Sequence, residues 1–166
     1  MDVPASTPTP PSSETRPSSR RILLAIGSVV LLLCVAFGVT TVRSRDEYRR
    51  YKESTLEAGP LPWTLHNYSV QQCVEFSTDW AMECPGVESW CANEAPNLTR
   101  QCLASQDRRA YCEDQGDAIA STRFGYKECE TLRESVQGRY TKRAHKKHCA
   151  ASFRAVASWC AEIDEK

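Results

Sequence analysis

Eight cysteines crowd into residues 73–160: Cys73, Cys84, Cys91, Cys102, Cys112, Cys129, Cys149 and Cys160. Two chemistries use so many sulfurs, disulfide cross-linking and metal–thiolate binding, and spacing separates them. Successive intervals are 11, 7, 11, 10, 17, 20 and 11 residues, so no pair has the short C-x2-4-C spacing of a zinc site. About nine cysteines per hundred residues approaches the density of disulfide-stapled domains outside the reducing cytosol. The expectation is therefore four disulfides among these eight. One other grouping could ligate a metal: His145, His148 and Cys149 form H-x2-H-C at helical spacing, which suits a soft or borderline ion. If Cys149 is oxidised, that ligand is lost. What is left is a histidine pair beside Lys146 and Lys147, read as a solvated basic helix face, with His145 a candidate for core packing. No C-x-x-C redox pair, C-x-x-C-H haem site, G-x-S-x-G elbow or phosphate-binding glycine loop occurs, and no carboxylate pair stands out as catalytic. The chain is expected to have no catalytic residues and no cofactor. Asn67-Tyr68-Ser69 and Asn97-Leu98-Thr99 are glycosylation triplets, which carry meaning only in a eukaryotic cell.

The ninth cysteine, Cys34, lies apart in an unbroken apolar run, residues 22–42 (ILLAIGSVVLLLCVAFGVTTV). Twenty-one helical residues span roughly 31 Å, matching the hydrocarbon core of a bilayer. Arg20, Arg21, Arg43 and Arg45 flank it. Ala36-Phe37-Gly38 makes a poor cleavage site after so long a run, and Leu33 before Cys34 disfavours a lipoprotein site. The segment reads as an uncleaved signal-anchor, a single-pass transmembrane helix, with Cys34 as the one free thiol. Ser19-Arg20-Arg21-Ile22-Leu23-Leu24 is similar to a twin-arginine export signal, but paired arginines are common beside anchors. Orientation is contested. Three bases precede the helix (Arg16, Arg20, Arg21) and five follow it (Arg43, Arg45, Arg49, Arg50, Lys52), which favours a cytosolic C-terminal part. The cysteines favour the opposite, because the cytosol would keep them reduced. The cysteines decide the expectation: N-terminus cytoplasmic, C-terminal domain exoplasmic.

Around the anchor, residues 1–21 form a Pro/Ser/Thr-rich tail with too little apolar content to fold. Residues 43–68 read as a solvated helical stalk and linker. Asp46–Arg50 and Arg49–Glu53 are its i,i+4 pairs, and Gly59-Pro60 is its stop. Residues 69–166 then form an all-α, cysteine-rich domain. Val70, Cys73, Val74, Trp80, Ala81 and Cys84 make one helical stripe, ended by Pro85-Gly86. Cys129, Leu132 and Val136 mark a shorter helix over 127–137. Cys149, Phe153, Val156, Cys160 and Ile163 make a continuous buried seam on the last helix. The stretch 91–122 is interrupted by Pro96 and Gly116. Nothing alternates with period two, so no sheet is expected. Trp63, Trp80, Trp90 and Trp159 read as core.

The 11-residue interval recurs at 73/84, 91/102 and 149/160. It returns a side chain to nearly the same helix face about three turns on. Two such helices, antiparallel, could be bolted at both ends, which is similar in logic to the twin C-x9-C hairpins of the mitochondrial intermembrane space. The interval here is x10, and the other cysteines depart from that pattern. Because Pro96 should break the 91/102 arm, the expected pairing is Cys73–Cys160 with Cys84–Cys149.

Net charge is zero, with 21 acids balancing 21 bases, which argues against a dedicated nucleic-acid partner. The charges are segregated, however. Five acids and no base lie between Cys73 and Thr99, and six bases and no acid between Arg139 and Arg154. The simpler reading places these stretches side by side in one domain; the other is a bipolar docking surface. The expected function is a membrane-anchored, non-catalytic binding, scaffold or accessory subunit, held in the lipid bilayer beside a membrane or exoplasmic protein partner. The alternative is thiol–disulfide or metal handling by the cysteine-rich domain, which would need an exposed pair with a depressed thiol pKa.

Overall fold

A computed structural model describes residues 19–164, with side chains from 22 to 163; the expected tail falls almost wholly outside them. The described residues are all-α, with no strand. Seven helices follow one another: α1 (Ser19–Lys52), α2 (Pro62–Leu65), α3 (Val70–Glu83), α4 (Glu88–Ala104), α5 (Arg109–Gln115), α6 (Tyr126–Glu134) and α7 (Arg139–Asp164). A π-helical turn (Glu53–Glu57) follows α1, and a 3-10 turn (Gly116–Ala120) follows α5. The chain divides into two compact units, residues 1–41 and 42–166.

In the first unit, every described side chain of the apolar run is exposed. An 18-residue window reaches a mean hydropathy of 2.9 with none of it buried, so this helix is long and apolar enough to cross a membrane. Its few hydroxyls bond within the helix: Ser28 donates to the Leu24 carbonyl at 2.9 Å and Thr41 to that of Phe37 at 2.8 Å. Such internal satisfaction is what an apolar solvent demands of polar groups.

The second unit is built on α3, α4 and α7, packed pairwise, with α5 and α6 against α7. Helix α3 starts at a complete capping box. Ser69 Oγ accepts from the Gln72 amide at 3.1 Å, and Gln72 Oε1 accepts from the Ser69 amide at 2.7 Å. Val70, Cys73, Val74, Trp80 and Ala81 are buried, as their spacing implies. On α7 the seam is buried from Cys149 through Phe153 and Val156 to Cys160, and Ile163 is half-buried at its end.

The disulfides differ from the expected pairing. They are Cys73–Cys102, Cys84–Cys91, Cys112–Cys160 and Cys129–Cys149, with Cα separations of 5.5 to 6.0 Å. Cys34 has no disulfide. Neither Cys73–Cys160 nor Cys84–Cys149 forms. The two-ended bolt exists, but it joins α3 to α4, using the arm that contains Pro96. Proline inside a helix removes one backbone bond and costs about 3 kcal/mol. Here Ala95, Leu98, Cys102 and Leu103 are buried along α4, and a disulfide pins each end of it. Tertiary burial outweighs the local penalty, and α4 runs through Pro96. Helix α7 is fastened twice as well, near its C-terminal end to α5 through Cys112–Cys160 and near its middle to α6 through Cys129–Cys149.

The segment expected as a solvated stalk carries part of the core. Tyr48 and Tyr51 pack on Trp80 with ring centroids at 6.5 and 5.3 Å, and Tyr48 also meets Trp90 at 5.7 Å. The Lys52 ammonium bonds Glu94 of α4 at 3.0 Å. Trp80 Nε1 donates to Thr55 Oγ1 at 2.7 Å, and Thr55 donates in turn to the Tyr51 carbonyl at 2.7 Å. That side-chain claim on a helix carbonyl accompanies the π-helical turn. Trp63 is buried beyond it, edge-on to Phe76 at 5.0 Å. Of the two expected ion pairs, Arg49–Glu53 stands at 3.8 Å, in solvent.

Candidate functional site

Seven of the eight paired cysteines are buried; Cys84 alone is partly exposed. A sulfur out of reach of solvent cannot be attacked by an external thiolate, so these seven sulfurs are shielded from exchange in the folded domain.

His145 and His148 are not on a solvated face. They are 4 % and 3 % exposed, and the Nδ1 of each is buried without a hydrogen-bond partner among the described residues. Helix α7 is covered on more than one side, by α3 and α4 and by α5 and α6. Its buried stripe is therefore wider than the seam, taking in His145, His148, Ser152 and Ala155 as well. Burial pushes both imidazoles below their usual range. Asp79 of α3 faces His145 and opposes that shift, whereas Arg133 of α6 reinforces it. For His148, Lys147 reinforces the shift and Glu88 opposes it. The Asp79 carboxyl is itself raised, chiefly by burial.

Cys149, the third member of H-x2-H-C, is joined to Cys129. Among the described residues no group of three or more His, Cys, Asp or Glu side chains could hold a metal ion. The pair can titrate, but this geometry offers no ligand set.

The segregated charges are side by side, as the simpler reading held. Lys147 bonds Glu88 at 2.7 Å, and the basic stretch of α7 lies against α3 and α4. At its far end α7 adds Glu162, which Arg100 holds through both carboxylate oxygens at 2.6 and 2.7 Å. Asn67 and Asn97 are both exposed; Asn67 Oδ1 accepts from Gln106 at 3.1 Å, and Thr99 of the second triplet is buried. Trp63 and Trp80 are core, with Trp90 and Trp159 half-buried around it.

One buried charge escaped the sequence reading. Arg108 is 8 % exposed, yet its triplet Asp107-Arg108-Arg109 has the composition of a solvated loop. No periodic signal marks it, because it falls between α4 and α5. Its environment is contributed by residues distant in sequence. Comparison of the chain with family models, curated proteins and solved structures finds no match.

Proposed function

We propose that this is a single-pass membrane protein with a cytoplasmic N-terminus. Its disulfide-closed domain lies on the exoplasmic side, serving as a non-catalytic binding or accessory subunit beside a partner in or at the membrane. One observation carries the reading: all eight cysteines beyond the apolar run stand in disulfide pairs, whereas Cys34 within it does not. Complete pairing fits an oxidising compartment, and a fully exposed apolar helix fits lipid. The buried sulfurs weigh against thiol exchange, which needs an exposed thiolate.

The test uses intact cells and a C-terminal tag. External protease should remove the tag, and full protection refutes the orientation. Alkylation in denaturant without reductant should add one label, at Cys34; three or more favour a thiol-handling role. Cross-linking through surface lysines in native membranes should give one discrete adduct, and none refutes the accessory role.

A further inference from the structure

Beside the α4–α5 junction lies an open cleft of about 630 Å³, lined by Gln106, Asp107, Arg108, Arg109, Trp159 and Ile163, with Glu113 on its rim. Arg108 is unusual within it. A guanidinium carries five donors and does not lose its charge in proteins, so burying one calls for an anion. Among the described residues no carboxylate lies within ion-pair distance of Arg108. Its Nε is buried with no partner, and one Nη reaches only the disulfide sulfur of Cys73, at 3.9 Å. Sulfur is a weak acceptor and offsets little of the desolvation. Burial alone pulls the Arg108 pKa down, with no opposing cause.

The cleft's own acids do not fill this role. Asp107 accepts from the Arg109 amide at 3.0 Å and stands 3.9 Å from the Arg109 guanidinium. Glu113 is exposed and has no ion-pair partner among the described residues. The walls are of two kinds. Arg108 and Arg109 offer donors, the Gln106 amide being held by Asn67 Oδ1 and the His66 carbonyl, while half-buried Trp159 and Ile163 offer an apolar surface. A few convergent polar groups against apolar walls, in this volume range, are the usual makings of a small-molecule site.

We infer that this cleft binds a small carboxylate with an apolar or aromatic body, its anion on Arg108 and its body on Trp159 and Ile163. The assignment is independent of the membrane reading. The same chemistry has a second source, the chain's own Asp164 and Glu165, which follow Ile163 in sequence.

The full chain, disulfides intact and in detergent micelles, is titrated with phenylacetate and, as the neutral isostere, phenylacetamide. Tryptophan emission is the readout. Phenylacetate should bind saturably and at least tenfold more tightly than the amide. R108Q should lose that preference, and E113Q, on the exposed rim, should strengthen carboxylate binding two- to threefold. E113Q keeps the test valid should R108Q fold poorly, since an unchanged affinity there speaks against an anion in the cleft. D164N/E165Q separates the sources. Binding that appears only in that variant assigns the anion to the chain itself and overturns an external ligand. Equal affinity for acid and amide, or an R108Q titration like wild type, overturns the site.

Discussion

The disulfide pattern makes a graded prediction about stability. Cys112–Cys160 spans 48 residues and Cys84–Cys91 only 7. A cross-link stabilises largely by restricting the unfolded chain, and the restriction grows with the logarithm of loop length. Taken alone, the 48-residue loop contributes about 4 kcal/mol and the 7-residue loop about 2.4 kcal/mol. Nesting lowers the first figure. Cys129–Cys149 closes 20 residues inside the larger loop, leaving a path of about 28 and a contribution of about 3.6 kcal/mol. Burial then widens the gap. Cys112 and Cys160 are both buried, whereas Cys84 is partly exposed. Each buried sulfur replaced by hydrogen costs roughly another 0.8 kcal/mol, taken as a methylene. C112A/C160A should thus lose about 5 kcal/mol, and C84A/C91A about 3 kcal/mol. Against a typical domain stability of about 5–15 kcal/mol, the first loss is severe. The assay is guanidinium unfolding of the full chain in detergent, followed by tryptophan emission. All four tryptophans lie in the second unit, so the signal reports that unit. The m-value of C112A/C160A should also rise, because its unfolded chain is less restricted. A cost for C84A/C91A equal to or above that for C112A/C160A refutes the loop argument.

The same pattern predicts a covalent division. Two bonds lie within residues 73–102 and two within 112–160, so nothing covalent but the backbone crosses between them. A specific protease site placed after Gln106 and cut should release two fragments on an unreduced denaturing gel; one band would mean a crossing disulfide. Acid should destabilise the domain. Because burial holds His145 and His148 below 6.5 when folded, the unfolded chain takes up protons first as pH falls. Stability should decline from about pH 7 downward, by at most about 1.4 kcal/mol per pH unit per histidine, until the folded imidazoles themselves titrate. Asp79, raised by burial, acts with the opposite sign and only towards the carboxylate range. A Tm unchanged between pH 7.5 and 5.5, or a decline that persists in H145Q/H148Q, refutes this. Finally, Gly125 precedes α6 at φ 74°, where an added Cβ would clash with Cβ and Cγ of Phe153. G125A should cost at least about 2 kcal/mol, since left-handed backbone and overpacking both penalise it. G116A, at φ 47° with open space around it, should cost less.

Period and punctuation made the helices legible, and long-range pairing remained hidden. The Pro85-Gly86 stop bounds α3 closely at its end, and the 4-3-4-3 repeat locates the α7 seam. Both are local signals, and the structure keeps them. The choice of disulfide partner is a tertiary question. Three arms share one interval, and the sole local criterion against one of them was Pro96. A penalty of about 3 kcal/mol is enough to break a lone helix. It is not enough against an arm that buries Ala95, Leu98, Cys102 and Leu103 and is pinned at both ends. The segment 43–68 misled in the same way. Arg43, Arg45, Arg49 and Arg50 make its helical part look solvated, while Tyr48 and Tyr51 anchor it on Trp80 and Trp90.

Polar burial was less legible still, and for one physical reason. A histidine or arginine carries no mark in sequence of whether its neighbours will exclude water. His145 and His148 sit among lysines, which hold the exposed side of α7. The stripe widens over them because α7 has neighbours on more than one side, and helix periodicity does not encode how many helices will pack. Arg108 is the extreme case. Its burial comes from the turn between α4 and α5, from Cys73 in α3 and from a cleft that Trp159 and Ile163 of α7 help to line. Three segments meet around Arg108, and among the described residues none supplies it with a carboxylate within ion-pair distance. A fold selected for stability alone gains nothing from such a charge, because an apolar residue of similar volume would fill the space without the desolvation cost. A charge buried at that cost is the reason to look for its anion.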